Sequence, residues 1–180
     1  MPRDGASRLD LPIVRCDPAR LPEVFELRAR VWLEEGAAAG AFPDGTWSDA
    51  RDAQRLHWVA LDGDRIVAAA SLDLHESLAA VEEPEAYASV PPPPPGVIAA
   101  PTRVVVDRAY RGGGLANALL DRQDEAARAA GAVLAVRQAS PAMRRLLERR
   151  GWRDHGPAPP DPRFPGIEFR VMSLEMGDAR

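Results

Sequence analysis

The sequence contains no lysine; all 23 of its basic residues are arginine. That absence excludes a Walker-type phosphate loop, whose lysine reaches the phosphates of a nucleotide. It also excludes covalent chemistry built on a lysine Schiff base. Cysteine is nearly absent: with Cys16 alone, neither an intramolecular disulfide nor a cysteine-rich zinc site can form. The three histidines, His57, His75 and His155, stand in no HExxH-type spacing, so no metal is expected. Nothing approaches the roughly 18 consecutive apolar residues of a membrane span. The opening MPRDGASRLD lacks the apolar stretch of a signal peptide, which sets the expectation of a cytoplasmic protein without membrane contact. A net charge of −4 and a pI ≈ 5.4 lack the basic footprint of a nucleic-acid binder.

What is present suits one globular unit: 180 residues, of which 46% are hydrophobic, suffice for a sizeable core. Met1 to Asp10 reads as a flexible polar arm and residues 11–180 as a single domain. Leu11 to Cys16 suits a first strand, and Pro22-Glu23 opens a helix along which Val24, Leu27, Val31 and Trp32 recur with helical spacing. Leu56 to Leu61 and Arg65 to His75 read as a hairpin around Asp62-Gly63-Asp64. Residues 76–100 are irregular. Their run Pro91 to Pro95 favours a stiff extended excursion, read here as an insertion loop outside the core. Thr102 to Val106 is a β-branched strand, and Gly114 to Ala130 a helix stopped by Gly131. A strand from Ala132 to Val136 precedes a helix capped by Ser140 and opened by Pro141. Phe169 to Met176 is the final strand.

The most informative stretch is Val104-Val105-Val106-Asp107-Arg108-Ala109-Tyr110-Arg111-Gly112-Gly113-Gly114-Leu115-Ala116-Asn117. It reads as a strand, a turn crowded with glycine, then a helix. Glycine admits positive φ and places no Cβ in the way, so backbone N–H groups can converge on one ligand. The helix start behind them adds unpaired donors and the positive end of a dipole. Together they make an anion cradle that works without lysine, and pyrophosphate is its natural cargo. Taken alone, three glycines also fit a tight turn with no ligand. A dinucleotide-binding reading fits poorly, because G-x-G-x-x-G breaks at Asn117 and no carboxylate closes the strand from Ala132 to Val136.

Three features taken together resemble the GNAT superfamily of acyl-CoA-dependent N-acyltransferases: Val104-x-Val106, then Arg111-x-x-Gly114-x-Ala116 opening a helix, and Leu146-Leu147-Glu148-Arg149-Arg150-Gly151-Trp152 closing a later one. The resemblance extends from about Leu11 to the final strand. It implies an α/β (α+β) fold with a mixed, mostly antiparallel central sheet, split between two neighbouring strands and flanked by helices on both faces. It implies acetyl-CoA or another acyl-CoA as co-substrate, no metal, and transfer to a primary amine of a small molecule or peptide. The backbone of Val104, Val105 and Val106 would hold the pantetheine arm. The N–H groups of Gly112, Gly113, Gly114, Leu115 and Ala116, with Asn117 beside them, would hold the pyrophosphate, and Arg111 is a second phosphate contact. A non-catalytic acyl-CoA-binding sensor of the same fold is the alternative.

The resemblance breaks at the acid. The family's usual proton-donating tyrosine falls at Leu147, and the asparagine common at the same helix's start is Ser140. As a base, His75 and Asp73 are the best candidates, since strand alternation puts both on one face; His57 is an alternative. The acceptor side, from Ala19 to Arg55, carries Trp32, Phe42, Trp47, Asp49 and Asp52. Its carboxylates could attract a cationic amine and its tryptophans form an apolar or cation–π wall, although buried aromatics and a solvated acidic turn fit equally. This half is also similar to acyl-homoserine-lactone synthases, which place aromatics and paired acids after an arginine-bearing first helix. The expected partners are a CoA thioester and an unidentified amine, with a homodimer left open.

Overall fold

A computed structural model describes residues 10–177. Its strands are β1 (Ile13–Arg15), β2 (Leu56–Asp62), β3 (Arg65–His75), β4 (Val97–Val106), β5 (Ala132–Ala139), β6 (Arg153–Pro157) and β7 (Arg170–Glu175). They form one sheet in the order β1-β2-β3-β4-β5-β7-β6. Every pairing is antiparallel except that of β4 with β5. Three helices cover the faces: α1 (Leu21–Glu34), α2 (Leu115–Ala129) and α3 (Pro141–Glu148). Of the arm expected from Met1 to Asp10, residues 1–9 lie outside the described part.

The helices take opposite faces because the central strands are apolar on both. Val24, Leu27 and Val31 of α1 pack on Val59, Ile66, Ala69 and Val105. On the other face, Leu115, Leu119, Leu120 and Ala127 of α2 meet Ala68, Ala70, Leu72, Ala99 and Ala135. The alanines on the second face let α2 approach the sheet closely.

Two irregularities shape the middle of the sheet. The parallel pairing of β4 with β5 stops after Val97, Ile98 and Ala99, so the strands part from Ala100 and Val136 onward. Against β3, Ala69 pairs with Val105 and Ser71 with Thr102, so two β4 residues, Arg103 and Val104, oppose Ala70 alone. This is a β-bulge, and Arg103 adopts φ +57 within it. Left-handed backbone in a non-glycine residue costs roughly 1 kcal/mol, held in place by the surrounding structure.

The structure departs from the sequence expectations in three places. Strand β4 begins at Val97 rather than Thr102, with Ala100 and Pro101 paired to Asp73 and Leu72. Arg153–Pro157 forms a short edge strand that its glycine, proline and charges conceal. The run Pro91 to Pro95 lies along the surface, but earlier residues of the segment over 76–100 enter the core. Val81, Ala86, Tyr87 and Val90 are buried against Ile98, Leu134, Val136 and Val171. Short 3-10 turns at Leu78–Ala80 and Pro84–Tyr87 deliver them, and the prolines then run along the surface.

Candidate active site in the split sheet

Where β4 and β5 part, a cleft of about 640 Å³ opens. Its walls include Val104, Val105 and Val106, then Tyr110, Arg111, Gly112, Gly114, Leu115, Ala116 and Asn117. Beyond Ala99 the β4 backbone has no ladder partner on the β5 side, leaving peptide groups free for a ligand. The turn reaches the helix through Gly112 at φ +80 and Gly114 at φ +90, conformations that favour glycine. Gly114 is the N-cap of α2 and supplies no side chain to its first N–H groups. Those donors face the cleft unpaired, with the helix dipole behind them. Such a surface fits a polyphosphate and an extended amide-bearing arm.

Arg111 is already engaged. Its Nε donates to the Val106 carbonyl at 3.1 Å and its Nη1 pairs with Glu35 at the end of α1. Both residues line the cleft, so this pair lies across its wall.

A smaller cavity of about 140 Å³ shares Trp32, Val104, Ser140 and Met143 with the cleft. Around it, Trp32, Trp47, Phe164 and Phe169 pack ring against ring, with centroids 4.9 to 6.1 Å apart. Behind the aromatics runs a network of arginines and carboxylates. Arg28 donates to Asp52 at 2.8 Å, Arg55 to Asp49 at 2.8 Å and to Glu82 at 3.0 Å, and Arg103 to Asp49 at 2.5 Å. Arg103 also lies over Trp47, 4.2 Å from its centroid. Burial would raise the Asp49 carboxyl, but the hydrogen bond from Arg55 and the charges of Arg103 and Arg55 hold it below the usual range.

The sequence model of the acetyltransferase (GNAT) family matches residues 21–152, which include the glycine turn and the arginine–carboxylate network. The chain belongs to the GNAT acetyltransferase family. No curated protein matches it by sequence. Among solved structures, the acyl-homoserine lactone synthase LasI superposes with a TM-score of 0.69 at 15% identity, over 93% of this chain and 89% of that one. The CoA-dependent acyl-homoserine lactone synthase BjaI, solved with SAM and isopentyl-CoA, gives 0.66 at 21%, over 88% and 77%. The protein yncA of Salmonella typhimurium, solved with its cofactor acetyl-CoA, gives 0.64 at 18%, over 95% and 96%. At these identities the likeness concerns the fold, and the split, mostly antiparallel sheet is the GNAT fold.

Against that GNAT frame, all residues expected to hold the cofactor line the cleft except Gly113. His75 and Asp73 do not line it. They border a separate cavity of about 80 Å³ with Arg55, Tyr87 and Arg137. Asp73 is held by Arg51 at 2.5 Å and by Arg55 at 3.5 Å. Burial would raise its carboxyl, yet the Arg51 hydrogen bond and the charges of His75, Arg51 and Arg55 keep it low, so it is a poor base. Burial lowers His75, and the Arg51 and Arg55 charges add to that against the pull of Asp73. The expectation of a catalytic pair there conflicts with this geometry.

His57 is equally committed, with Nε2 donating to the Asp52 carbonyl at 2.8 Å and Nδ1 left to accept from Arg28 at 3.3 Å. Leu147 is fully buried in the main core and cannot serve as an acid. Asp49 and Asp52 are neutralised by arginines and so are not free to attract a cationic amine. Arg103 and Arg137, which the sequence reading passed over, both line the smaller cavity. Their one signal was an arginine on each strand that flanks the split.

Proposed function

We propose that the chain moves an acyl group from acyl-CoA to the nitrogen of a primary amine, on a small molecule or peptide, giving an amide and free CoA. The carrying observation is the cleft between β4 and β5, where unpaired β4 backbone meets the uncapped start of α2 at a glycine turn. The pyrophosphate of CoA would lie on the N–H groups from Gly112 to Ala116, and the pantetheine arm along Val104 to Val106. The thioester would then fall near the boundary with the smaller cavity, where the acceptor enters. The amine lone pair attacks the thioester carbon, forming the C–N bond. The C–S bond breaks as the tetrahedral adduct collapses, and the proton lost by nitrogen ends on the CoA sulfur. A β4 backbone N–H near Val106 would stabilise the oxyanion. Leu147, buried in the core, is not the source of that proton.

The same buried Leu147 favours a second reading, an acyl-CoA sensor that binds without turnover. Free thiol released from acetyl-CoA and from isopentyl-CoA, over a panel of amines that includes SAM, separates the two. Amine-dependent release supports the transferase. Calorimetric binding of acyl-CoA with no release for any amine supports the sensor.

A further inference from the structure

The buried arginines of this protein fall into two groups. Arg28, Arg55 and Arg103 each face a carboxylate within 2.8 Å. Arg137 does not. It sits on β5 just past the point where β5 leaves β4, and only 6% of its surface is exposed. Its Nε and Nη1 are buried without a hydrogen-bond partner, and among the described residues it forms no ion pair. The nearest charges are no substitute: Asp124 is bonded to Arg150 at 2.9 Å, and Tyr87 is a phenol that burial keeps protonated. Desolvation lowers the Arg137 guanidinium to about 10, which still leaves it cationic at neutral pH. A buried cation without a counter-charge is costly, so its retention calls for an anion that the protein does not supply.

Arg137 lines the smaller cavity, and the other charged groups there are already engaged within the protein. Glu82 pairs with Arg55 and Arg103 and Asp161 with Arg163, while the Glu83 carboxylate is turned to the neutral Gln138 amide at 2.8 Å and forms no ion pair with Arg137. A second orphan lies beside the same wall. Gln123 donates through Nε2 to the carbonyl of Thr102, a lining residue, while its Oε1 is buried without a partner. The space thus offers a planar donor fork next to the cleft.

We infer that Arg137 receives a substrate carboxylate at the floor of the split, bound through its guanidinium fork. The inference rests on the transferase reading and names the chemistry of one of its substrates. The carboxylate has two sources: the distal end of a dicarboxylic acyl group on CoA, or the carboxylate of an amino-acid-like acceptor. Guanidinium pairs carboxylates in a two-pronged geometry, and its bonds strengthen where water is excluded.

Calorimetry on the full chain tests this without needing turnover. One arm compares acetyl-CoA with malonyl-CoA and succinyl-CoA. The other, with CoA present, compares amino acids with their carboxamides. A preference of about tenfold or more for the carboxylate in either arm supports the inference and identifies the source. Arg137→Met should abolish that preference, and Arg137→Lys, which keeps the charge but loses the fork, should restore part of it. Should the methionine variant fail to fold, the wild-type comparison still decides. Acetyl-CoA binding with no carboxylate preference in either arm overturns the inference and leaves the transferase reading standing. Failure of every acyl-CoA to bind overturns both.

Discussion

On one side of Val104 the polar groups are backbone amides left unpaired along β4 and at the start of α2. On the other side they are side chains already paired with one another, arginine to carboxylate, behind a layer of indole and phenyl rings. The first surface is ready for an anion and an extended chain, and it discriminates little among the groups they carry. The second is largely closed in charge, with Arg137 left without an ion pair among the described residues, and can select. Chemistry shared by a family can rest on backbone geometry, whereas selection among acceptors needs side chains.

The two surfaces should break differently. The largest effect is expected at the buried pair of Arg28 and Asp52, whose side chains are 0% and 3% exposed. Arg28→Met leaves the Asp52 carboxylate buried without its main counter-ion and should lower unfolding free energy by about 3–5 kcal/mol in urea titrations. The double variant Arg28→Met/Asp52→Asn removes both charges and should recover part of the loss. A single variant as stable as wild type would mean that the network is not holding this wall.

Gly114→Val should act the other way round, on binding more than on folding. Position 114 needs φ +90, which a β-branched residue resists, and a side chain there would crowd the cradle. CoA affinity should drop at least about tenfold, equivalent to about 1.4 kcal/mol, while circular dichroism still reports the fold. Unchanged affinity would remove the glycine turn from the site.

That contrast also explains what could be read in advance. The cradle is local: strand, glycines and helix start lie within 14 consecutive residues, Val104 to Asn117, and each leaves a mark in the sequence. The network joins residues far apart in the chain, such as Asp49 with Arg103 and Arg51 with Asp73, and no local pattern announces such pairs. Asp73 and His75 do share a face of β3, as alternation implies, but alternation cannot say that Arg51 and Arg55 would reach them first. The split between neighbouring strands was expected only through the resemblance, and the buried Val81, Tyr87 and Val90 were hidden, because they depend on tertiary packing of an irregular segment.

A smaller effect should follow from acidification. Burial lowers the ionisation of His57 and His75 below the ordinary 6.5, so the unfolded chain takes up more protons than the folded one as pH falls. Their contribution is complete above about pH 6.5 and fades as the pH drops through the lowered folded values. The melting temperature should therefore decline as the pH falls below about 6.5. His57→Gln keeps a donor for the Asp52 carbonyl and an acceptor for Arg28, and should flatten that decline. A slope identical to wild type would show that His57 protonates as readily folded as unfolded.

The smallest effects should come from the one ion pair on the cleft side. Arg111 and Glu35 are 37% and 44% exposed, so their mutual attraction is screened and worth at most about 1 kcal/mol to folding. Their influence on an anionic ligand need not cancel. Glu35 places a negative charge on a wall that would face the CoA phosphates, and it holds the Arg111 guanidinium against itself and the Val106 carbonyl. Glu35→Gln removes that charge and frees the arginine, so CoA should bind a few-fold more tightly, with the gain shrinking as salt is raised. Arg111→Gln should weaken binding by a similar factor, well short of the loss in Gly114→Val. Calorimetry at two ionic strengths measures both. If Arg111→Gln matched the glycine variant, the phosphates would be held by a side chain rather than by backbone, and the division between the two surfaces would have to be redrawn through Arg111.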